Sequence, residues 1–197
     1  MGFLEYLTIA SIAAWTVSEV AIGLFSLINR LSGPSEGEDH FSFVVIWFAI
    51  GLPVWFAVMA WRHLILPNGF GSFAALSPLL GYLGCLAFSL GIAIRLVAVA
   101  TLKKQFTTTV AIVEKHEIVD TGLYRTIRHP AYLGLLLSLL GFGLVSGNWL
   151  SLAAAVVLPL AAILYRIQVE EQALLRHFGS AYQAYASRTQ RLLPGIY

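Results

Sequence analysis

Long apolar runs, broken by short polar intervals, limit what this 197-residue chain can fold into more than any other feature. The runs cover about residues 3–28, 41–61, 77–101, 130–145 and 149–165. A helix needs roughly 20 consecutive apolar residues to cross the hydrocarbon of a bilayer, and the first three runs reach that length. Hydrophobic residues make up 58% of the chain and charged residues 11%. A soluble domain of this size does not bury so much apolar surface, whereas lipid accommodates it when backbone amides are bonded within helices. The pattern predicts an all-α, polytopic integral membrane protein with about five transmembrane helices and a C-terminal cytosolic or interfacial helical segment. Residues 1–101 carry the first three helices. Residues 102–197 hold a connector, a helical hairpin and amphipathic helices.

Charge placement orients this arrangement. Ten of the twelve lysines and arginines fall in the first loop, the interval after the third run, and the tail. The positive-inside rule puts those segments in the cytosol, as expected of a multi-pass protein of the cell inner membrane. A formal charge of +2 gives no reason to expect nucleic acid as a partner; the lipid bilayer is the expected one. The lone cysteine, Cys85, rules out an internal disulfide or a cysteine metal cluster. The histidines lack ligand spacing, so no metal is expected. The first run has no basic leader and carries Glu5, so it reads as a retained anchor.

Within the runs, Glu19 is too deep to face lipid and is expected to face other helices or stay protonated. Residues 29–40 read as a loop by their glycine, proline and serine content. The second run contains Pro53, a kink signal, and tryptophans at 47, 55 and 61 that suit interfaces; residues 67–69, Pro-Asn-Gly, mark a turn. In the third run Ser77, Gly81, Cys85, Ser89 and Ala93 form a stripe of small residues expected to face another helix. Arg95 there either snorkels to the interface or meets a polar cavity. Residues 107–110 predict a partly extended connector, and residues 130–165 a hairpin turning at residues 146–148, with Pro159 kinking its second arm.

Two polar stretches carry the chemistry. The first, residues 116–132, reads HEIVDTGLYRTIRHPAY. Proline suits the first position of a helix and pushes the residue before it, His129, out of helical geometry. The open amides of that helix start favour an acceptor. In the second stretch, beginning at residue 166 with RIQVEEQALLRHF, Arg166 and Glu170 are four apart and share a helical face. An arginine holds a carboxylate and a glutamate an ammonium group. The two charge receptors beside an apolar bundle suit a zwitterionic cofactor and an amphiphilic anionic substrate. Taken singly, these residues also read as boundary arginines, surface acids, loop histidines and interface tyrosines.

Together, HExVxxGxYRxxRHPxYxG and, beyond the hairpin, RIxxEExxLxxxFGxxYxxYxxRTxRLxP resemble the isoprenylcysteine carboxyl methyltransferase family, bacterial branch, over residues 104–197. The resemblance makes residues 102–197 a methyltransferase core. It implies an S-adenosylmethionine-dependent enzyme that methylates the α-carboxylate of a prenylated cysteine or a related amphiphile. It further implies cofactor contacts at His116, Glu117, Ile118, Val119, Tyr124, His129, Pro130, Ala131, Tyr132 and Glu170. Arg166 matches the arginine that orients the substrate carboxylate. Thr109 stands where eukaryotic members carry a glutamine. Three other readings stay open: a lipid amine or thiol methyltransferase of the same superfamily, a sterol-reductase-like membrane oxidoreductase, and a non-enzymatic assembly factor.

Overall fold

The computed structural model describes residues 2–31, 35–39, scattered positions between 45 and 59, residues 71–73, 77–108, 110–113, 117–193 and 195. The positions between 45 and 59 are helical, and the helices described along their length are α1 (Phe3–Leu31), α2 (Ser77–Leu102), α3 (Pro130–Val145), α4 (Trp149–Phe178) and α5 (Ser180–Ser187). Among the described residues, three segments are long and apolar enough to cross a membrane, Phe3–Asn29, Pro78–Gln105 and Trp149–Phe178; Pro130–Val145 is apolar but shorter. At 1.5 Å per residue, α3 spans about 24 Å. The protein is therefore a helical integral membrane protein. The turn at residues 67–69, Pro53 and Trp61 lie outside the described residues. Many large apolar side chains, including Val17, Leu86 and Val157, point outward, as lipid-facing positions do.

Two expectations need correction. Residues 29–40 are not all loop: α1 continues to Leu31, and Ser35–Asp39 form strand β1, which pairs antiparallel with β2 (Val110–Val113). The β-branched run Val110, Ile112 and Val113 offers a pleated edge, and backbone pairing to it overrides the loop-like composition of the partner. Among the described residues this ribbon is the exception to a helical architecture, and it makes the connector partly extended, as expected. The second correction concerns residue 166. The polar segment is not a separate interfacial helix there, because α4 runs unbroken from Trp149 to Phe178. Leucine, glutamate, glutamine and arginine are all strong helix formers, so the change from apolar to polar composition carries no backbone signal. The break comes at Gly179, whose φ of 54° is a left-handed conformation that glycine adopts freely.

The α3–α4 turn is built as its composition suggests. Gly147 has φ 67°, and the Asn148 side chain accepts from the amides of Leu150 and Ser151 at 2.9 and 3.2 Å, capping α4. Residues 71–73 brace the turn, with Trp149 N–H donating to the Gly71 carbonyl at 2.8 Å and Phe73 N–H to that of Gly147 at 3.0 Å.

The closest helix packing joins α2 to α3, and only part of the small-residue stripe takes part in helix contacts. Gly81 and Cys85 are buried, and a Cβ at Gly81 would meet the Leu4 side chain of α1, but Ser89 and Ala93 are exposed. The seam lies on another face. A Cβ on Gly91 would stand 2.4 Å from Ser138 Oγ, one on Gly134 2.7 Å from Arg95 N, and one on Gly141 2.5 Å from Phe88 N. Gly84 and Gly91 are seven apart, as are Gly134 and Gly141, and seven residues return a helix to nearly the same face. Four-residue spacing drifts off that face, which is why the stripe divides.

Gly91→Ala or Gly134→Ala should therefore separate the two backbones and destabilise the protein by about 1–3 kcal/mol. Gly23→Ala, where nothing lies within 4 Å, should leave the melting temperature in detergent unchanged or raised.

Candidate active site

The helices enclose a cavity of about 600 Å³ whose wall draws on α1, α2, the connector, α3, α4 and α5. Its chemistry centres on Tyr132, in the first turn of α3. Arg166 Nε donates to the Tyr132 hydroxyl at 2.8 Å, and that hydroxyl donates to Glu170 Oε2 at 2.9 Å. Arg166 Nη2 also donates to the Thr108 carbonyl, which ties the connector to α4. Ser26 of α1 holds the same connector residue through its amide and hydroxyl, at 2.7 and 2.9 Å. Asn29 reaches the carbonyls of Lys103 and Phe106.

His129 sits just before α3, buried, with its ring stacked on Tyr132 at 5.7 Å. Its Nδ1 lies 3.8 Å from Glu170 and its Nε2 3.4 Å from Glu171. Glu171 in turn accepts from Arg128 Nε and Arg191 Nε, both at 2.9 Å. The tail beyond α5 is bonded along this stretch: Arg128 N–H donates to the Gln190 carbonyl at 2.7 Å and His129 N–H to that of Arg191 at 3.1 Å. Arg128 also donates to the carbonyls of Ala186 and Thr189. Glu19 pairs with Arg95 on the cavity wall, the polar alternative to snorkelling.

Thus Glu117, Ile118, Val119, Tyr124, His129, Ala131, Tyr132, Arg166 and Glu170 converge on one cavity. Pro130 is fully buried at the start of α3. His116 and Thr109 lie outside the described residues. Glu19, Arg95, Glu171 and Arg128 join the same polar framework, and Tyr182 lines the cavity. The separation of 76 residues between Glu19 and Arg95 hides that pair in the sequence. Two oppositely charged residues inside apolar runs were the available signal.

The family model for "Isoprenylcysteine carboxyl methyltransferase (ICMT) family" matches residues 82–176. Over those residues, just under half of its length, the chain is similar to the isoprenylcysteine carboxyl methyltransferase family. A rice protein named "Probable protein-S-isoprenylcysteine O-methyltransferase" (Oryza sativa subsp. indica) is 33% identical over 58% of this chain and 61% of its own. The Saccharomyces cerevisiae protein-S-isoprenylcysteine O-methyltransferase is 32% identical over 64% of this chain and 53% of its own. Methanethiol S-methyltransferase 2 of Bradyrhizobium diazoefficiens is 36% identical over 38% of this chain and 28% of its own. The chain thus spans between about a quarter and three fifths of the length of these relatives. The family match takes in Arg95, the HPAY turn, Arg166 and the paired glutamates; Glu19 and the tail tyrosines lie beyond it.

Those tyrosines are neutral at physiological pH. Burial pushes the phenols of Tyr124 and Tyr182 well above the usual range, with Glu170 adding to the first and Glu171 to the second. Burial likewise pushes Tyr185 up to about 12; its hydroxyl donates to the Tyr124 carbonyl at 2.8 Å. A raised phenol contributes its full stability below roughly pH 10, its ordinary value, and loses it as the pH climbs to the folded value. Melting temperature should therefore fall from about pH 10 upward, with a shallower fall in Tyr185→Phe. The Tyr182 hydroxyl is buried without a hydrogen-bond partner among the described residues. Since an unmatched buried donor is destabilising, Tyr182→Phe should raise the stability of the ligand-free protein by about 1 kcal/mol, read by thermal unfolding.

Proposed function

We propose that the chain is an S-adenosylmethionine-dependent membrane methyltransferase that methylates a carboxylate of a prenylcysteine-like or similar amphiphilic acceptor. The observation that carries this reading is the convergence of Arg166 and Glu170, through the Tyr132 hydroxyl, on one cavity bounded by apolar helices. The relatives' names support the reaction class and the acceptor class.

The residues fit such a methyl donor. Glu170 offers a carboxylate to an ammonium group, and Tyr124, Tyr132 and Val119 offer aromatic and apolar surface to a nucleoside. Glu117, Ile118, Ala131, His129 and Pro130 would complete the contacts with His116. When bound, the donor supplies an electrophilic methyl carbon on a sulfonium. The chain's own tasks are to orient and to desolvate. An acceptor carboxylate, with an ordinary pKa near ~4, is already ionised at neutral pH and needs no general base. Arg166 holds that carboxylate by charge-assisted hydrogen bonds, and positioning of this kind removes much of the entropic barrier. The apolar wall, with Leu24, Leu27, Leu174 and Phe178, takes the acceptor's tail. The clustering of basic residues supports a multi-pass inner-membrane protein whose site faces the cytosol.

Removing the arginine should then act on the acceptor. Arg166→Ala is expected to lower kcat/KM for a farnesylcysteine acceptor on the order of 10–100-fold, while calorimetric affinity for S-adenosylhomocysteine changes little. Unchanged acceptor kinetics would overturn the assignment.

The match to a methanethiol S-methyltransferase favours one second reading, a thiol acceptor. A thiol titrates near ~8.5, so its methylation should quicken between pH 7 and 9, whereas carboxylate methylation should stay flat. An acceptor panel of farnesylcysteine, a lipid thiol and a lipid amine, run across that range, separates the readings.

A further inference from the structure

Glu19 and Arg95 have no part in the function proposed above, yet both side chains stand on the cavity wall. Arg95 is buried, at 8% exposure, and uses three of its donor positions. Nε and Nη2 meet the two oxygens of Glu19 at 2.5 and 2.8 Å, and Nη1 meets the Ala131 carbonyl at 3.1 Å. Three helices meet in this contact: Glu19 belongs to α1, Arg95 to α2, and Ala131 to the first turn of α3.

A bidentate arginine–carboxylate contact fixes the plane of the guanidinium, so the first two bonds aim the third. The target carbonyl lies between His129, which stacks on Tyr132, and Tyr132 itself, which bridges Arg166 and Glu170. The backbones leave little slack, because a Cβ on Gly134 would stand 2.9 Å from Arg95 Cβ. Arg95 also acts on the Tyr124 phenol in opposition to Glu170, so it lies within electrostatic reach of the same group. Replacing a buried ion pair by apolar residues of similar volume is often neutral for stability or favourable. The pair's geometric effect is therefore the one to test.

We propose that Glu19 and Arg95 are positioning residues: their ion pair holds the first turn of α3, and through it His129 and Tyr132, in place against the bound methyl donor. The inference rests on the methyltransferase reading.

The test is calorimetric titration of S-adenosylhomocysteine into the wild type, the Glu19→Leu/Arg95→Met double variant and Arg95→Lys, with melting temperatures in the same detergent. Lysine keeps a charge for Glu19 but lacks the fork that serves Glu19 and Ala131 together. The double variant is expected to melt within about 4 °C of the wild type and to bind about tenfold more weakly, a loss of about 1.4 kcal/mol. Arg95→Lys shifts affinity the same way by less, and in turnover both variants raise KM for the donor more than they lower kcat. Wild-type affinity in a folded double variant overturns the inference. If that variant does not fold, wild-type affinity in Arg95→Lys overturns it. A wild type that binds no S-adenosylhomocysteine overturns the methyltransferase reading itself, and the inference with it.

Discussion

The backbone contact between α2 and α3 is the constraint on which the site depends. In lipid, apolar surface gives helices little reason to associate, so close van der Waals packing must do so. Gly84 and Gly91 opposite Gly134 and Gly141 let the two backbones approach to distances at which any Cβ would collide. Because Gly134 sits against Arg95, the same approach brings the Arg95 guanidinium to the Ala131 carbonyl. Packing of glycines thus determines where the HPAY turn stands, and the HPAY turn determines where Tyr132 stands.

The second constraint comes from the tail. Gln190 and Arg191 bond to the backbone of Arg128 and His129, and Arg191 and Arg128 share Glu171. His129 is held from both sides, since its own carbonyl accepts from Tyr132 and Leu133 at the start of α3. Proline at the next position removes a competing donor and disfavours helical geometry before it. A residue bonded to the tail, outside the helix yet buried, is stiff without being part of a regular element.

Periodicity and length make the helices legible in sequence, because an apolar run of bilayer length has few other solutions. The cavity residues on α3 and α4 are legible too, because Tyr132, Arg166 and Glu170 stand in two short polar stretches beside apolar ones. Less is visible where structure depends on partners distant in sequence. β1 is a strand only because residues 110–113 lie beside it, and its own composition speaks for a loop. The small-residue stripe mistakes a four-residue spacing for the seam, whereas the actual seam repeats every seven. The role of Glu171 is equally hidden in sequence, because Arg128, His129 and Arg191 converge on it from two separate segments.

The acidic and basic groups around the cavity differ in how they are joined, and the difference bears on chemistry. Arg95 meets Glu19 directly, as Arg128 meets Glu171. Such pairs in a low-dielectric setting are hard to open, because separating them leaves a desolvated charge. They suit a frame. Arg166 and Glu170 instead meet through the Tyr132 phenol, which accepts from one and donates to the other. Each of these bonds has only one charged partner and is weaker than an ion pair of the same geometry, so ligand groups of opposite charge can engage each side without first breaking a salt bridge. The rigid pairs on the flanks keep the exchangeable one in place, and a site with the proposed function, admitting and releasing two charged ligands, would need both kinds.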